Sequence, residues 1–306
     1  MRRWRGDREL DLSSWRAAGI GGDMVRPEPL TAFEELFGEM GFRQGAFTPS
    51  YGLAETTLAA TFTPHGQGLL KHTIDMARYT RTSEAVEASD LTREEDRRTF
   101  VACGKVLPGH EIEIRDFDDN ILAEKQVGRV CLRGPSVSPG YFRNTQATEA
   151  SFSKDGWLDT GDAAYWLEDQ LVVTGRFKDL ILWHGRNIWP QDIEWAAQAA
   201  APHRCGRACA FAIGGVGDEK DIMLLLECRT RDPKLLEEIY TAVTAAIRLE
   251  VGVPVRLMLV PKSTMVITSS GKLSRARVKT KFLDGAIIDL QSTENLTVVA
   301  SSGDAG

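Results

Sequence analysis

The sequence predicts a chain in two parts: a mixed α/β segment running into a small antiparallel sheet or barrel, then a compact α+β module. Two patterns carry this. From Glu111 the apolar residues fall at every second position, with Ile112 and Ile114 between Glu111, Glu113 and Arg115, and a period of two marks half-buried strands. After Asp179 the chain alternates strand-like runs with a long helical stripe. A length of 306 residues suits about two domains at roughly 150 residues each.

The elements follow in order. Val25 to Met40 reads as a short helix, with Pro27 and Pro29 near its start, Leu30, Phe33, Leu36 and Phe37 at helical spacing, and Gly41 after its end. Residues 62–100 are polar, highly charged and lack a clear period, so an exposed insertion is expected there. Short strands follow around Ile112, Val130 and Leu171-Val172-Val173, separated by Asp118-Asp119-Asn120 and Pro139-Gly140. Beyond Asp179 the expected order is strand, helix, strand, strand, helix, strand. Pro190 opens the first helix, with acids in its first turn. Asp232-Pro233 opens the second, whose stripe is Leu236, Ile239, Val243 and Ile247. A tail over 284–306, rich in Ser, Thr, Asp and Gly, is expected to be disordered, although Ile287, Ile288 and Leu290 could dock one turn.

Composition narrows the function. A net charge of -6 argues against a general nucleic-acid binder. Five cysteines without a Cys-x-x-Cys pair argue against zinc and disulfide frameworks and suit a reducing, cytoplasmic setting. Met1-Arg2-Arg3-Trp4-Arg5-Gly6 is basic but lacks the apolar stretch of a secretory signal. No run approaches the roughly 20 apolar residues of a membrane span.

Four blocks carry the chemistry. Ser50-Tyr51-Gly52-Leu53-Ala54-Glu55 offers an aromatic face, a backbone open to close approach and a carboxylate; it also fits a turn with a buried Tyr and a surface Glu. Gly161-Asp162 offers a carboxylate, an acceptor at two oxygens, and also fits an Asx turn between strands. Gly175-Arg176-Phe177-Lys178-Asp179 leads into Gly185-Arg186-Asn187-Ile188-Trp189-Pro190. Thr268-Ser269-Ser270-Gly271-Lys272-Leu273-Ser274-Arg275 sets a lysine on a Ser/Gly-rich loop. It is not a phosphate-binding P-loop, because Leu273 follows the lysine and Val266 stands where that motif needs glycine.

In order and spacing these blocks resemble the acyl-adenylate-forming ligases, the superfamily of acyl-CoA synthetases, luciferases and peptide-synthetase adenylation domains. The resemblance covers nearly the whole chain from Leu10 to Leu283. It implies an α/β and α+β fold: residues 1–178 as the C-terminal part of the large domain, a partial sheet plus a small β-barrel, with the insertion at about 62–100. Residues 179–283 would form a small mobile α+β lid. The implied chemistry joins a carboxylate to ATP, giving acyl-AMP and pyrophosphate, with Mg²⁺ on the phosphates. By resemblance Tyr51 stacks on adenine beside Gly52, Gly21, Gly22 and Asp23 line the adenine side, Asp162 takes the ribose hydroxyls, and Arg176 supports ribose and phosphate. Glu55 would hold Mg²⁺, Asp179 would be the hinge, and Lys272 the catalytic lysine.

The Ser-Tyr-Gly-Leu-Ala-Glu form, the Pro190-Gln191-Asp192-Ile193-Glu194 ending and the insertion resemble the fatty acyl-AMP ligase branch, which passes a fatty acid or related carboxylic acid to the thiol of an acyl carrier protein. An acyl- or aryl-CoA ligase, with CoA as acceptor, is the alternative. The superfamily's Thr/Ser/Gly-rich phosphate loop and long N-terminal half have no counterpart here, so a fragment acting with a separate N-terminal half, or a non-catalytic partner module, also fits.

Overall fold

The computed structural model describes residues 10–214, 221–268 and 271–291. The chain divides into two compact units, Met1–Lys178 and Asp179–Gly306. The basic N-terminal stretch, Ser269-Ser270 and the tail over 292–306 lie outside the described residues.

The first unit begins with β1 (Ala18–Ile20), α1 (Pro27–Phe37) and β2 (Phe47–Tyr51), and β1 and β2 pair in parallel. The helix forms where the sequence predicts it, with proline at its start; a single tight turn then carries the chain to Gly41, at φ 88°. Phe37, Phe42, Ala46 and Phe47 form its buried core, with Phe33 packed edge-on against Phe42 and Phe47. β3 (Thr61–Phe62) and β6 (Lys105–Val106) extend the sheet in the order β1-β2-β3-β6.

Between them, residues 62–100 depart from the exposed insertion expected. β4 (Lys71–Asp75) and β5 (Arg97–Val101) pair antiparallel, with α2 (Met76–Thr82) after β4. Ile74, Tyr79, Ala85 and Phe100 are buried. The polar composition misleads because polar side chains point inward and find partners. His72 Nδ1 lies 2.9 Å from the Tyr165 hydroxyl, and the Tyr79 hydroxyl donates to Thr174 Oγ1 at 3.1 Å. Asp75 caps α2 by accepting from the Arg78 amide.

The second sheet is a meander of β7 (Glu111–Arg115), β8 (Gly128–Arg133), β9 (Leu158–Leu167) and β10 (Gln170–Arg176), ordered β7-β8-β9-β10. It does not close into the small β-barrel anticipated. The outer edge of β10 is taken instead by the segment after β5: Cys103 N–H donates to Leu171 O at 2.7 Å, and Leu171 N–H to Gly104 O at 2.9 Å. A covered edge has no need to close. Gly104, at φ 82°, is obligatory there, since a Cβ would sit 1.9 Å from the Phe62 carbonyl carbon. α3 (Thr145–Ser151) lies between β8 and β9, capped by Asn144.

The second unit opens with the hairpin β11 (Ile181–Trp183) and β12 (Arg186–Ile188), followed by α4 (Pro190–Ala200). β13 (Cys205–Ile213) and β14 (Asp221–Cys228) are antiparallel. α5 (Pro233–Glu250) then crosses over to β15 (Arg256–Pro261), parallel to β14. Alternation sorts the two faces. Ala208, Ala210, Leu224, Leu226 and Leu259 face the core with α4 and α5, whereas Cys209, Phe211, Met223, Leu225 and Val260 face a second cluster. That second face is covered by Met265, Leu273 and α6 (Arg275–Leu283), a helix absent from the expected order. Within residues 284–291 the docking allowed for Ile287 and Leu290 is present: Leu290 N–H donates to Leu259 O at 2.8 Å, and Ile287 joins the second cluster.

Two outcomes follow for residues 62–100. Tyr79→Ala should destabilise the chain by about 3–5 kcal/mol, the range for emptying a buried aromatic site, and Tyr79→Phe by only about 1 kcal/mol, one hydrogen bond; urea midpoints measure both. Burial holds the His72 pKa below its ordinary value, helped by Lys125 and opposed by Glu87 and Glu168. An unfolded chain therefore takes up this proton more readily than the folded one. The His72 contribution is present above about pH 6.5 and is lost as pH falls below it. Stability measured between pH 7.5 and 5.5 should drop less in His72→Gln than in wild type.

Candidate functional site

In the first unit the candidate residues gather where parallel strands end. β1 finishes at Ile20 and β2 at Tyr51, so Gly21-Gly22-Asp23 and Gly52-Leu53-Ala54-Glu55 both follow the carboxyl ends of a parallel pair, where ligands of open α/β sheets bind. The first loop lies against the end of β2. A Cβ on Gly21 would come within 2.6 Å of Ser50 Oγ, and Gly22 has φ 84°. Asp23 turns back on the chain, its Oδ1 accepting from Met24 N–H. Gly52 tolerates nothing larger, because its Cβ would stand 1.9 Å from Leu58 O.

Tyr51 and Asp162 meet directly. The tyrosine hydroxyl donates to Asp162 Oδ2 at 2.7 Å, and Arg176 Nε donates to Asp162 Oδ1 at 2.8 Å. Asp162 is 6% exposed and the Arg176 side chain 57%, so one end of the node is buried and the other open. Burial and the Asp162 charge push the Tyr51 pKa well up, so the phenol remains a donor. The Tyr51 ring lies within the core cluster of Ala60, Cys103, Ile114 and Leu158 and is 9% exposed. Gly161, at φ 72°, makes the turn that precedes the aspartate.

Glu55 sits on a single tight turn, Ala54–Thr56. Its Oε1 accepts from the Tyr141 hydroxyl at 2.7 Å, and its carbonyl from Ser138 N–H at 2.7 Å. Sequence reasoning treated Pro139-Gly140 as a turn alone and missed Tyr141, whose contact with Glu55 spans 86 positions. Among the described residues no group of three acidic, His or Cys side chains could hold a metal by itself.

Asp179 and Lys272 belong to the second unit. Lys272 is exposed on a tight turn in which Thr268 N–H donates to Lys272 O at 2.8 Å and Lys272 N–H to Thr268 Oγ1 at 3.1 Å. Asp179 pairs with Arg275, which also makes bonds of 2.9 and 3.1 Å from Nη2 to the two Glu194 oxygens. Glu194 was part of the block quoted above, but nothing in its spacing marked it as buried and paired.

The comparisons bear on these residues together. A family model described as AMP-binding enzyme matches residues 3–142. A provisionally named acyl-CoA synthetase of Caulobacter vibrioides is 43% identical over 280 residues, covering 91% of this chain and 48% of that protein. Over residues 3–142 the chain is similar to the AMP-binding enzymes. A medium-chain-fatty-acid–[acyl-carrier-protein] ligase, JamA of Moorena producens, is 32% identical over 94% of this chain and 50% of its own length. A solved structure from work on fatty acyl-adenylate ligases of E. coli and L. pneumophila superposes with TM-score 0.83 at 39% identity, covering 93% of this chain and 50% of that one. The chain thus spans about half the length of the curated relatives it matches. Asp162, Arg176, Asp179 and Lys272 lie beyond the family-model match, in the stretch reached by the longer alignments.

The Tyr51–Asp162 bond sets a ranking. Tyr51→Phe removes one hydrogen bond and should cost about 1.5 kcal/mol, whereas Asp162→Ala strands the buried hydroxyl and should cost about 2–3 kcal/mol. Denaturant midpoints of the two variants measure the order.

Proposed function

We propose that this chain is part of an adenylate-forming ligase that activates a fatty carboxylic acid with ATP. The observation that supports the reading best is the Tyr51–Asp162–Arg176 node beside the glycine loops that end β1 and β2. Asp162 accepts the ribose hydroxyls, and the open guanidinium of Arg176 faces ribose and phosphate. Gly21 and Gly22 let the backbone approach the base. A carboxylate oxygen of the acid attacks the α-phosphorus, the bond to the β-phosphate oxygen breaks, and pyrophosphate leaves. The Lys272 ammonium neutralises the charge that develops on the transferred group, a donor aimed at the transition state.

Glu55 fits Mg²⁺, because that ion takes one or two carboxylates and completes its shell with water and substrate phosphates. Bound there, the ion would neutralise phosphate charge, and Glu55, oriented by the Tyr141 hydroxyl, would hold it. Asp179 is the point about which the second unit turns between activation and transfer.

The acceptor we favour is the thiol of a carrier-protein arm, supported by the likeness to JamA, named as acting on an acyl carrier protein. The second reading, transfer to CoA, is favoured by the naming of the Caulobacter relative. Among the described residues no helix is long and apolar enough to cross a membrane.

ATP–pyrophosphate exchange with fatty acids of graded length tests the proposal, run on this chain and on the chain joined to the N-terminal half of the Caulobacter relative. Exchange should fall by about 10²–10³-fold in Lys272→Ala, the loss typical of one transition-state donor. A folded, joined protein without exchange, or with exchange indifferent to Lys272, overturns it. Thioester formation on CoA against a pantetheinylated carrier then separates the acceptors.

A further inference from the structure

The charge cluster at the head of α6 has no part in the chemistry above. Arg275 lies three positions after Lys272 and its side chain is 13% exposed. Its guanidinium reaches Asp179, at the start of the second unit, and Glu194, on α4. Glu194 is 7% exposed and is saturated: Oε1 accepts from Ala210 N–H at 2.9 Å and from Arg275 Nε at 3.2 Å as well as Nη2. Burial pushes the Glu194 carboxyl up, and the Arg275 charge and the Ala210 amide oppose it. With three N–H donors on it and a guanidinium that does not titrate, the carboxylate form holds.

We propose that Arg275 is the positioning residue of the Lys272 loop, fixing where the lysine stands by tying the loop's exit to Asp179 and Glu194. The inference rests on reading Lys272 as the reacting lysine. The turn is braced through the mutual bonds of Thr268 and Lys272, and it is held at both ends as well. The entry end is held by a second buried carboxylate, Glu227, whose Oε1 accepts from Met265 N–H at 3.0 Å. The exit end is held by Arg275, directly after Ser274, whose amide donates to Val266 O at 2.9 Å. An ion cluster of this kind adds little stability over a well-packed apolar replacement, but it restricts geometry, because a planar fork meets two carboxylates in only one orientation. Lysine carries the charge without the fork.

Hydrogen exchange on the full chain tests this in Arg275→Lys and Asp179→Asn, with Lys272→Ala as control. Both variants should speed exchange at the Thr268, Gly271 and Lys272 amides by about tenfold, the size of one charged hydrogen bond. β13 and β14 amides should stay within about twofold of wild type and the melting temperature should hold, since local opening need not follow global unfolding. Loop exchange unchanged in both variants overturns the proposal. So does exchange that rises equally in loop and sheet with a lowered melting temperature, which is the mark of a merely structural residue. Lys272→Ala should leave the pattern untouched. Its effect on pyrophosphate exchange is a separate matter, so a failure of the chemistry and a failure of the positioning read differently.

Discussion

The Asp162 carboxylate is what the first unit is arranged around. It comes from the second sheet, is almost fully buried, and takes its partners from β2 and from the end of β10. A buried charge without partners is strongly disfavoured, so the first sheet must approach closely enough for Tyr51 to reach it, while Arg176 comes from the neighbouring strand β10. Gly52 and Gly104 keep the first sheet compact there, each at a point where a Cβ would collide with backbone. The exposed member of the node is the Arg176 side chain, and the carboxylate itself links β2 to the second sheet.

The second unit uses charge differently. Its sheet is apolar on both faces and is covered by α4 and α5 on one and by α6 with the 265–273 segment on the other. Among the described residues of this unit the buried carboxylates stand where the chain leaves this core, Glu227 beneath Met265 and Glu194 beneath Arg275. Apolar burial supplies stability and the ions supply direction, which fits the general finding that buried ion pairs restrict geometry more than they stabilise.

How much was legible in the sequence follows from how far apart the interacting residues lie. The strand-like runs after Asp179 and the stripe on α5 are local, and they reappear as β13, β14, β15 and α5. The family resemblance read from the motif blocks agrees with the family-model match and the long alignments. Local periodicity could not show that β10 would take Cys103 and Gly104 as its neighbour rather than close on β7. Residues 62–100 looked solvated because His72 and Tyr79 read as polar; their partners, Tyr165 and Thr174, lie more than ninety positions away. α6 escaped notice because its sequence is mostly basic, and only Val278 and Phe282 mark its apolar side. Tyr141 and Arg275 escaped for the same reason as the node at Asp162, since each acts through a contact made only in three dimensions.

The parallel pairing of β14 with β15 governs how this chain can be made. β13 and β14 form a hairpin early, but their second apolar face, with Phe211, Met223 and Leu225, stays bare until β15 has crossed back over α5 and α6 has followed. The last stitch, from the Leu290 amide to the Leu259 carbonyl, comes later still. On a ribosome, where domains form from the N-terminal side at about 5–20 residues per second, the first unit can finish while the second waits seconds with a sticky sheet exposed. A pause in translation before codon 290, or a premature stop there, would leave that face to a chaperone or to aggregation.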